Sequence, residues 1–393
     1  MNVCTERTDF SVKQGGTAGY YSCPGICRDR IFLSRNSVIF LPKGFKTMKK
    51  LLALILAVIF MLSIVSCGET AGNDETSASE STDGAFKIGI CNFVDDASLN
   101  QIIENIQNQL KAIEEEADVK FDVTVENCNM DSSLLQQIID EFIADEVDLM
   151  VGVATPVAMA MQAATDEIPV VFAAVSDPVG TGIVESMEKP GANVTGTSDA
   201  LDTNAIFNLI TELKPEIKKV GLLYDIGQDS STQAIIDAKE YLDRNDIEFV
   251  EANGATIEEI TLAANQLVEE GVEAVFTPSD NSIMAAELSI YEIFTKAKIP
   301  HYAGADSFAL NGAFLGYGVD YANLGRETAN TVKEILVDGK APADCAVKTF
   351  DNGTATINTD VCEALGLDYA ELEALFTPLC TKVQSIATSE DFE

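Results

Sequence analysis

The residues of this chain with most chemical promise are carboxylates and hydroxyls that stand just after short apolar runs. Pro278-Ser279-Asp280-Asn281 follows the run Ala274–Thr277, and Gly304-Ala305-Asp306-Ser307 follows Pro300–Ala303. Ala154-Thr155-Pro156 follows Leu149–Val153, and a polar loop with Ser176 and Asp177 at its centre follows Pro169–Ala173. Thr155 is a good helix N-cap and Pro156 suits a first helical turn. Free amides there would take a carboxylate, although a plain cap has the same grammar, and Asp177-Pro178 is also an ordinary turn opening. Asp280 and Asp306 suit a ligand ammonium group, or a general acid and base. No nucleophile–base pair and no metal-ligating cluster accompanies them. The single histidine, His301, lies between Ile299 and Tyr302 and reads as structural, and a multi-histidine metal site is excluded. No cofactor is expected.

The elements that must position these residues alternate. Lys87–Cys91, Phe121–Val125, Leu149–Val153 and Pro169–Ala173 read as strands, separated by helical spacing over 99–116, 134–144 and 156–165. A second series has strands at 219–224, 248–251, 274–277 and 300–303, with helices at 231–244, 257–270 and 281–297. Short apolar strands between amphipathic helices mean parallel sheets covered on both faces. The expected fold is α/β, with two doubly wound parallel-sheet lobes joined by hinge strands. Lobe 1 is expected over 86–197 plus 319–341, lobe 2 over 198–318 plus 342–380, and a tail over 381–393. Ligands in such sheets bind beyond the C-terminal strand ends.

The first 66 residues differ from the rest. They hold nine Lys/Arg and three Asp/Glu, against 16 and 60 in the remainder of a chain whose net charge is −38. So acidic a body argues against sequence-independent nucleic-acid binding. Met48-Lys49-Lys50 precedes fifteen residues, Leu51–Val65, in which only Ser63 is polar. That run is short for a bilayer span, which takes about 20 residues, and has the form of an export signal. Residues 1–47 read as a mis-assigned upstream extension, 48–66 as the signal, and the polar stretch 67–85 as a tether. The later cysteines, Cys91, Cys128, Cys345, Cys362 and Cys380, are odd in number and scattered, so they read as thiols, not a disulfide framework.

Ile64-Val65-Ser66-Cys67 resembles the bacterial lipoprotein cleavage box, which implies lipidation at Cys67 and anchoring on the extracytoplasmic face of the cell membrane. A second resemblance rests on Ala154-Thr155-Pro156, the segment 174–180, Lys189-Pro190-Gly191 through Ser198-Asp199, Pro278-Ser279-Asp280-Asn281 and Gly316-Tyr317-Gly318 through Asp320-Tyr321. In this order they are similar to TrpX-type solute-binding proteins of ABC importers, which have the type I periplasmic-binding fold. The similarity runs from about Lys87 to Gly366. It implies a clamp that captures an amino acid, often aromatic, and delivers it to a membrane permease and its ATPase, without catalysis. Carried over by position, Ala154, Thr155 and Ser176 would hold the ligand carboxylate, and Asp280, Asn281 and Asp306 the ammonium group. Asp199 at the first crossing and Tyr224 after a lobe 2 strand would also line the cleft. Where relatives often carry Gln and an aromatic, then Glu-His, in the loop after the first strand, this chain has Asn92-Phe93-Val94-Asp95-Asp96; that loop would reach over the ligand, and Phe93 reads equally as a stacking residue or as core. A monomer is expected. A ligand sensor for a signalling receptor, or an exported hydrolase using Asp280 and Asp306, are the alternative readings. A repressor sharing the lobe fold lacks a DNA-binding head and conflicts with export.

Overall fold

The computed structural model describes residues 84–351 and 353–389. The upstream extension, the signal segment, Cys67 and the tether up to residue 83 lie outside them. The first series forms β1 (Phe86–Asn92), α1 (Ala97–Ala117), β2 (Phe121–Asn127), α2 (Ser132–Ala144), β3 (Leu149–Val153), α3 (Thr155–Ala164), β4 (Val170–Ala173) and β5 (Val194–Thr197). These strands make one parallel sheet in the order β2-β1-β3-β4-β5. β3 and β4 are buried along their whole length, as helices on both faces require, whereas edge strand β2 is largely exposed.

The second series forms α4 (Thr203–Leu213), β6 (Lys219–Tyr224), α5 (Asp229–Arg244), β7 (Glu248–Asn253), α6 (Ile257–Glu269), β8 (Ala274–Thr277), α7 (Asn281–Ala297), β9 (His301–Ala303), α8 (Asp306–Leu310) and β10 (Leu315–Gly318). α9 (Tyr321–Leu336) follows, then β11 (Thr354–Asn358), α10 (Thr359–Leu365), α11 (Tyr369–Phe376) and β12 (Lys382–Ile386). The second sheet has the order β12-β11-β10-β9-β8-β6-β7. Acidic and amide caps start many of the helices: Asp96, Asp131, Asp202, Asp280, Asp320, Asn358 and Asp368 each accept an amide of the turn they open. Each such cap is worth about 1 kcal/mol.

The chain passes between the lobes three times: after β5, between β10 and α9, and ahead of β11. α9 leaves the second sheet to pack on α1 of the first lobe. The two helices approach so closely that a Cβ on Gly325 would lie 2.4 Å from the Ile102 carbonyl oxygen, and Gln109 bonds Asn330 at 3.0 Å. The chain stays with the first lobe beyond residue 341. Val347 donates to the Met187 carbonyl at 2.7 Å and Lys348 to that of Gly196 at 2.9 Å, so the return to lobe 2 starts after Lys348.

Two expectations change in the second lobe. Its sheet is not wholly parallel, because β11 runs antiparallel to β10. The reason is the excursion through α9: the chain leaves at the hinge end of β10 and comes back in from the hinge, so the next strand runs away from it. The segment 381–393, expected as a tail, instead contributes β12, which pairs parallel with β11 at the sheet edge. Its half-exposed residues have too weak an alternation to announce a strand.

Candidate functional site

Each sheet has one point where the winding changes direction. β1 sits between β2 and β3, and β6 sits between β7 and β8. The helices that follow leave on opposite faces there and open a crevice at the strands' carboxyl ends. The loops after β1, β3, β6 and β8 lead to Asp96, Thr155, Ser230 and Asp280, and all four line one cleft with walls from both lobes. The walls surround about 430 Å³, mouth included. Leu99, Met284, Phe308 and Tyr321 add apolar surface.

Four atoms in these walls are buried and have no hydrogen-bond partner: Asp96 Oδ2 and Thr155 Oγ1 from the first lobe, Ser230 Oγ and Ser307 Oγ from the second. Folded interiors rarely leave such groups unpaired, since each costs about 1–3 kcal/mol. Their convergence from two lobes marks the cleft as built for a polar ligand. Asp96 caps α1 through Oδ1, which accepts the Leu99 amide at 2.9 Å, and so presents Oδ2 to the cleft. The Ser307 hydroxyl is close enough to this carboxylate to favour its charged form, although neither Asp96 Oδ2 nor Ser307 Oγ has a hydrogen-bond partner. Burial raises the Asp96 pKa, and the Leu99 amide offsets part of that rise.

Two further carboxylates carry the same mark. Asp199, at the first crossing, accepts the Ser176 hydroxyl at 3.0 Å, and burial pushes its pKa up to about 6 against that bond. Asp306 accepts the Ser98 hydroxyl at 2.6 Å; burial raises it to about 6, and the nearby Asp96 charge adds to the rise. Tyr321 at the start of α9 is raised well above the ordinary phenol value by burial and by the charges of Asp199, Asp306 and Asp96.

The entry to α3 is strained. Ala154 has φ 77 and ψ 156, a region that only glycine visits freely. Its amide is held by the Ala173 carbonyl at 2.9 Å, and the conformation turns the start of α3 into the cleft.

Of the residues expected from sequence, Ala154, Thr155, Ser176, Asp199, Ser279, Asp280 and Asn281 line the cleft. Asp306 stands behind Ser98, beside lining residues Ala305 and Ser307. Others are placed elsewhere. Asn92 is turned into its own loop, where its amide bonds the Val94 carbonyl and Asn100. Phe93 is buried in the first core, and with Pro156 it lines a separate cavity beside Met130 and Gln228. Asp177 closes a turn by accepting the Gly180 amide at 2.8 Å. Tyr224 donates to Glu251 at 2.6 Å, away from the cleft. His301 is buried between Glu287 (3.1 Å) and Thr277 (2.8 Å). The thiols of Cys91, Cys128, Cys345 and Cys362 are free and buried, and that of Cys380 is free and partly buried.

Asp280 has a different job from the one expected. Its Oδ1 accepts the Ser282 and Ile283 amides at 3.0 Å each, and its Oδ2 accepts the Asp225 amide at 2.8 Å and the Ser231 hydroxyl at 2.7 Å. A carboxylate has about four lone-pair sites, and all are used inside lobe 2. That leaves no capacity for a ligand ammonium, nor for proton transfer as a hydrolase would need. Its pKa is nevertheless pushed up to about 6 by burial, against those bonds. Sequence reading passed over Asp96 as a ligand group and Ser98 and Ser230 altogether, and it named Ser307 and Tyr321 only within motifs, without a role of their own. The available signal was their place in the loop or first helical turn that follows β1, β6, β9 and β10.

Two lobes meeting at facing switch points, with unpaired polar groups from both in one cleft, define a clamp-type binding protein. The chain belongs to the family of ABC transporter substrate binding proteins, whose profile matches residues 87–376. It is 32% identical over 327 residues to a tyrosine-binding protein of Clostridioides difficile (strain R20291), covering 81% of this chain and 93% of that one. Among solved structures it is similar to an ABC domain in complex with L-Trp from Streptococcus pneumoniae, at 29% identity and a TM-score of 0.69, covering 76% of this chain and 99% of that one. It is also similar to the ligand-free, open structure of a substrate-binding protein with adhesive properties from Clostridium difficile, at 29% identity and a TM-score of 0.60, covering 78% and 100%. Membership of a substrate-binding family, together with the saturated Asp280, sets the hydrolase reading aside.

Proposed function

We propose that this protein is the extracytoplasmic, lipid-anchored binding component of an ABC importer, capturing an amino acid-like ligand with an aromatic side chain. The observation that carries the reading is the set of unpaired buried atoms of Asp96, Thr155, Ser230 and Ser307, two from each lobe, around one cleft. A ligand that satisfies groups from both lobes binds the closed form better than the open one, and that difference in affinity is what drives closure. The higher TM-score to the L-Trp complex than to the open relative, at equal identity, supports a closed arrangement here. The aromatic preference rests on the tyrosine-binding relative and the L-Trp complex.

Thr155 and the first amides of α3 would take the electronegative end of the ligand. The ammonium end goes to Asp96, with Asp199 and Asp306 nearby, in place of Asp280. Leu99, Met284 and Phe308 would face the side chain. Cys67 supplies the acylation site, and a permease with its ATPase receives the ligand. Calorimetry against the amino acids tests the binding function: stoichiometric binding without product is expected, and no binding by any of them overturns it. Membrane fractionation of wild type against Cys67→Ser tests the anchor, which is wrong if the variant stays with the membrane.

A further inference from the structure

Helix starts in this fold are capped by side chains almost throughout. Among the described helices of eight or more residues, only α3 and α5 open without one: Ala154 and Gln228, at their N-cap positions, accept no amide through a side chain. The first turn of each carries a buried hydroxyl without a partner, Thr155 Oγ1 in α3 and Ser230 Oγ in α5. Thr155 is 1% exposed and Ser230 6%, and both line the cleft, one from each lobe. On the outer side, Pro156 of α3 and Gln228 and Asp229 of α5 line one further cavity together. The two helix starts therefore face each other across the gap between the lobes, and the helices approach to within 8 Å between Cα atoms. Asp229 is exposed and lines that outer cavity, not the cleft. Asp280 holds the start of α5 from behind, through the Asp225 amide and the Ser231 hydroxyl.

None of the residues lining the cleft is Lys, Arg or His. The positive potential on offer to a ligand anion is therefore that of helix N-termini. α1, α7 and α9 spend theirs on Asp96, Asp280 and Asp320, whereas α3 and α5 spend theirs on no side chain. We infer that the ligand carboxylate is clasped between the starts of α3 and α5, with Thr155 and Ser230 donating to it from opposite lobes, so that the cleft takes amino acids and rejects the amines that lack the carboxylate. The inference rests on the binding function proposed above and adds the lobe 2 partner of its ligand's carboxylate. A carboxylate has about four lone-pair sites, enough for both hydroxyls and an amide from each helix. Asp96 Oδ2 and Ser307 Oγ, again one from each lobe, are left for the ammonium group. Each end of the zwitterion then bridges the lobes, and a ligand without the carboxylate loses one of the two bridges.

Calorimetry on the full chain tests this with tyrosine, phenylalanine and tryptophan against tyramine, phenethylamine and tryptamine. Each amino acid that binds is expected to do so at least tenfold tighter than its amine. Ser230→Ala, which removes the hydroxyl and adds no bulk, is expected to weaken that amino acid at least tenfold. Ser230→Asn and Ser230→Asp match in shape and differ in charge, and Ser230→Asp is expected to bind at least tenfold more weakly than Ser230→Asn. An acidic residue in a first helical turn favours the helix, so the urea midpoint of Ser230→Asp should be no lower than that of Ser230→Asn. An amine within tenfold of its amino acid overturns the clasp and leaves the binding function standing, as does a smaller loss in Ser230→Ala. Binding by Ser230→Asp as tight as by Ser230→Asn, or tighter, also overturns it and gives Ser230 to the ammonium group or to a phenol. If none of the three amino acids binds, the inference and the proposed aromatic ligand fall together.

Discussion

The Ser98 hydroxyl, in the first turn of α1, donates a 2.6 Å hydrogen bond to Oδ1 of Asp306, in the first turn of α8. The same hydroxyl oxygen accepts the Ser307 amide at 3.2 Å. One small side chain of the first lobe therefore holds the rim of the second through both a carboxylate and an amide. Because α1 and α8 belong to different lobes, opening of the proposed clamp would break this contact.

Ser98→Ala removes that latch. A hydrogen bond to a charged group is worth about 1.5–3 kcal/mol, so ligand affinity is expected to drop by roughly tenfold or more through a shift toward the open form. Small-angle scattering of the ligand-free variant should give a larger radius of gyration than wild type. Equal radii and equal affinities would show that the latch does not hold the lobes.

Asp280 and Asp96 separate stability from binding. Asp280→Ala removes a helix cap and strands the Asp225 amide and the Ser231 hydroxyl, for a combined cost of about 2–5 kcal/mol. The denaturation midpoint should fall sharply. Asp96→Ala removes one cap bond and also one unpaired buried charge, so its midpoint should move little while binding is lost. The reverse ranking in urea unfolding and calorimetry would exchange the two roles.

The raised carboxyl groups set a pH dependence. Asp199 and Asp306, pushed up to about 6 from an ordinary 3.8, bind a proton more tightly folded than unfolded. Their contribution to stability is complete below about 3.8 and is lost as the pH rises through about 6. At neutral pH, Asp199→Asn should therefore stabilise the ligand-free protein, by up to about 3 kcal/mol for a shift near two units at 1.36 kcal/mol each. The gain in melting temperature between pH 7 and pH 5 should be smaller in Asp199→Asn than in wild type. An unaltered gain would place the proton elsewhere. Binding of a ligand ammonium should follow the opposite course, strengthening as the pH rises through about 6 and the carboxylates ionise.

Backbone strain at Ala154 predicts a stabilising substitution at the cleft. Glycine adopts its φ and ψ without penalty, so Ala154→Gly should gain about 1 kcal/mol in spite of glycine's entropy cost. Thermal unfolding checks the sign. A loss of stability would mean that packing of the methyl group outweighs the strain.

Much of the framework was legible because its signals are local. β3, β6, β8 and α7 have the bounds expected from their apolar runs and from the Asp280 cap. The two-series alternation carried the two sheets and pointed to the strand ends, where the candidate cleft lies. What failed there was direction and edge: the antiparallel β11 and the marginal strand β12 depend on where the chain re-enters a sheet already formed.

Sequence alone determined that this chain has two doubly wound lobes and pointed to the loops after their strands, which line the candidate cleft, because burial periodicity and capping act over a few residues. Which polar side chain is left open to the cleft and which is used up by the fold was decided only by tertiary structure. Asp280 and Asp96 are both N-cap aspartates after a strand, and nothing within a few residues distinguishes them. Asp280 meets the amide of Asp225 and the hydroxyl of Ser231 from a neighbouring loop and helix and is filled. Asp96 faces the other lobe and keeps one oxygen unpaired. A carboxylate's role follows from how many donors surround it, and those donors come from residues far away along the chain.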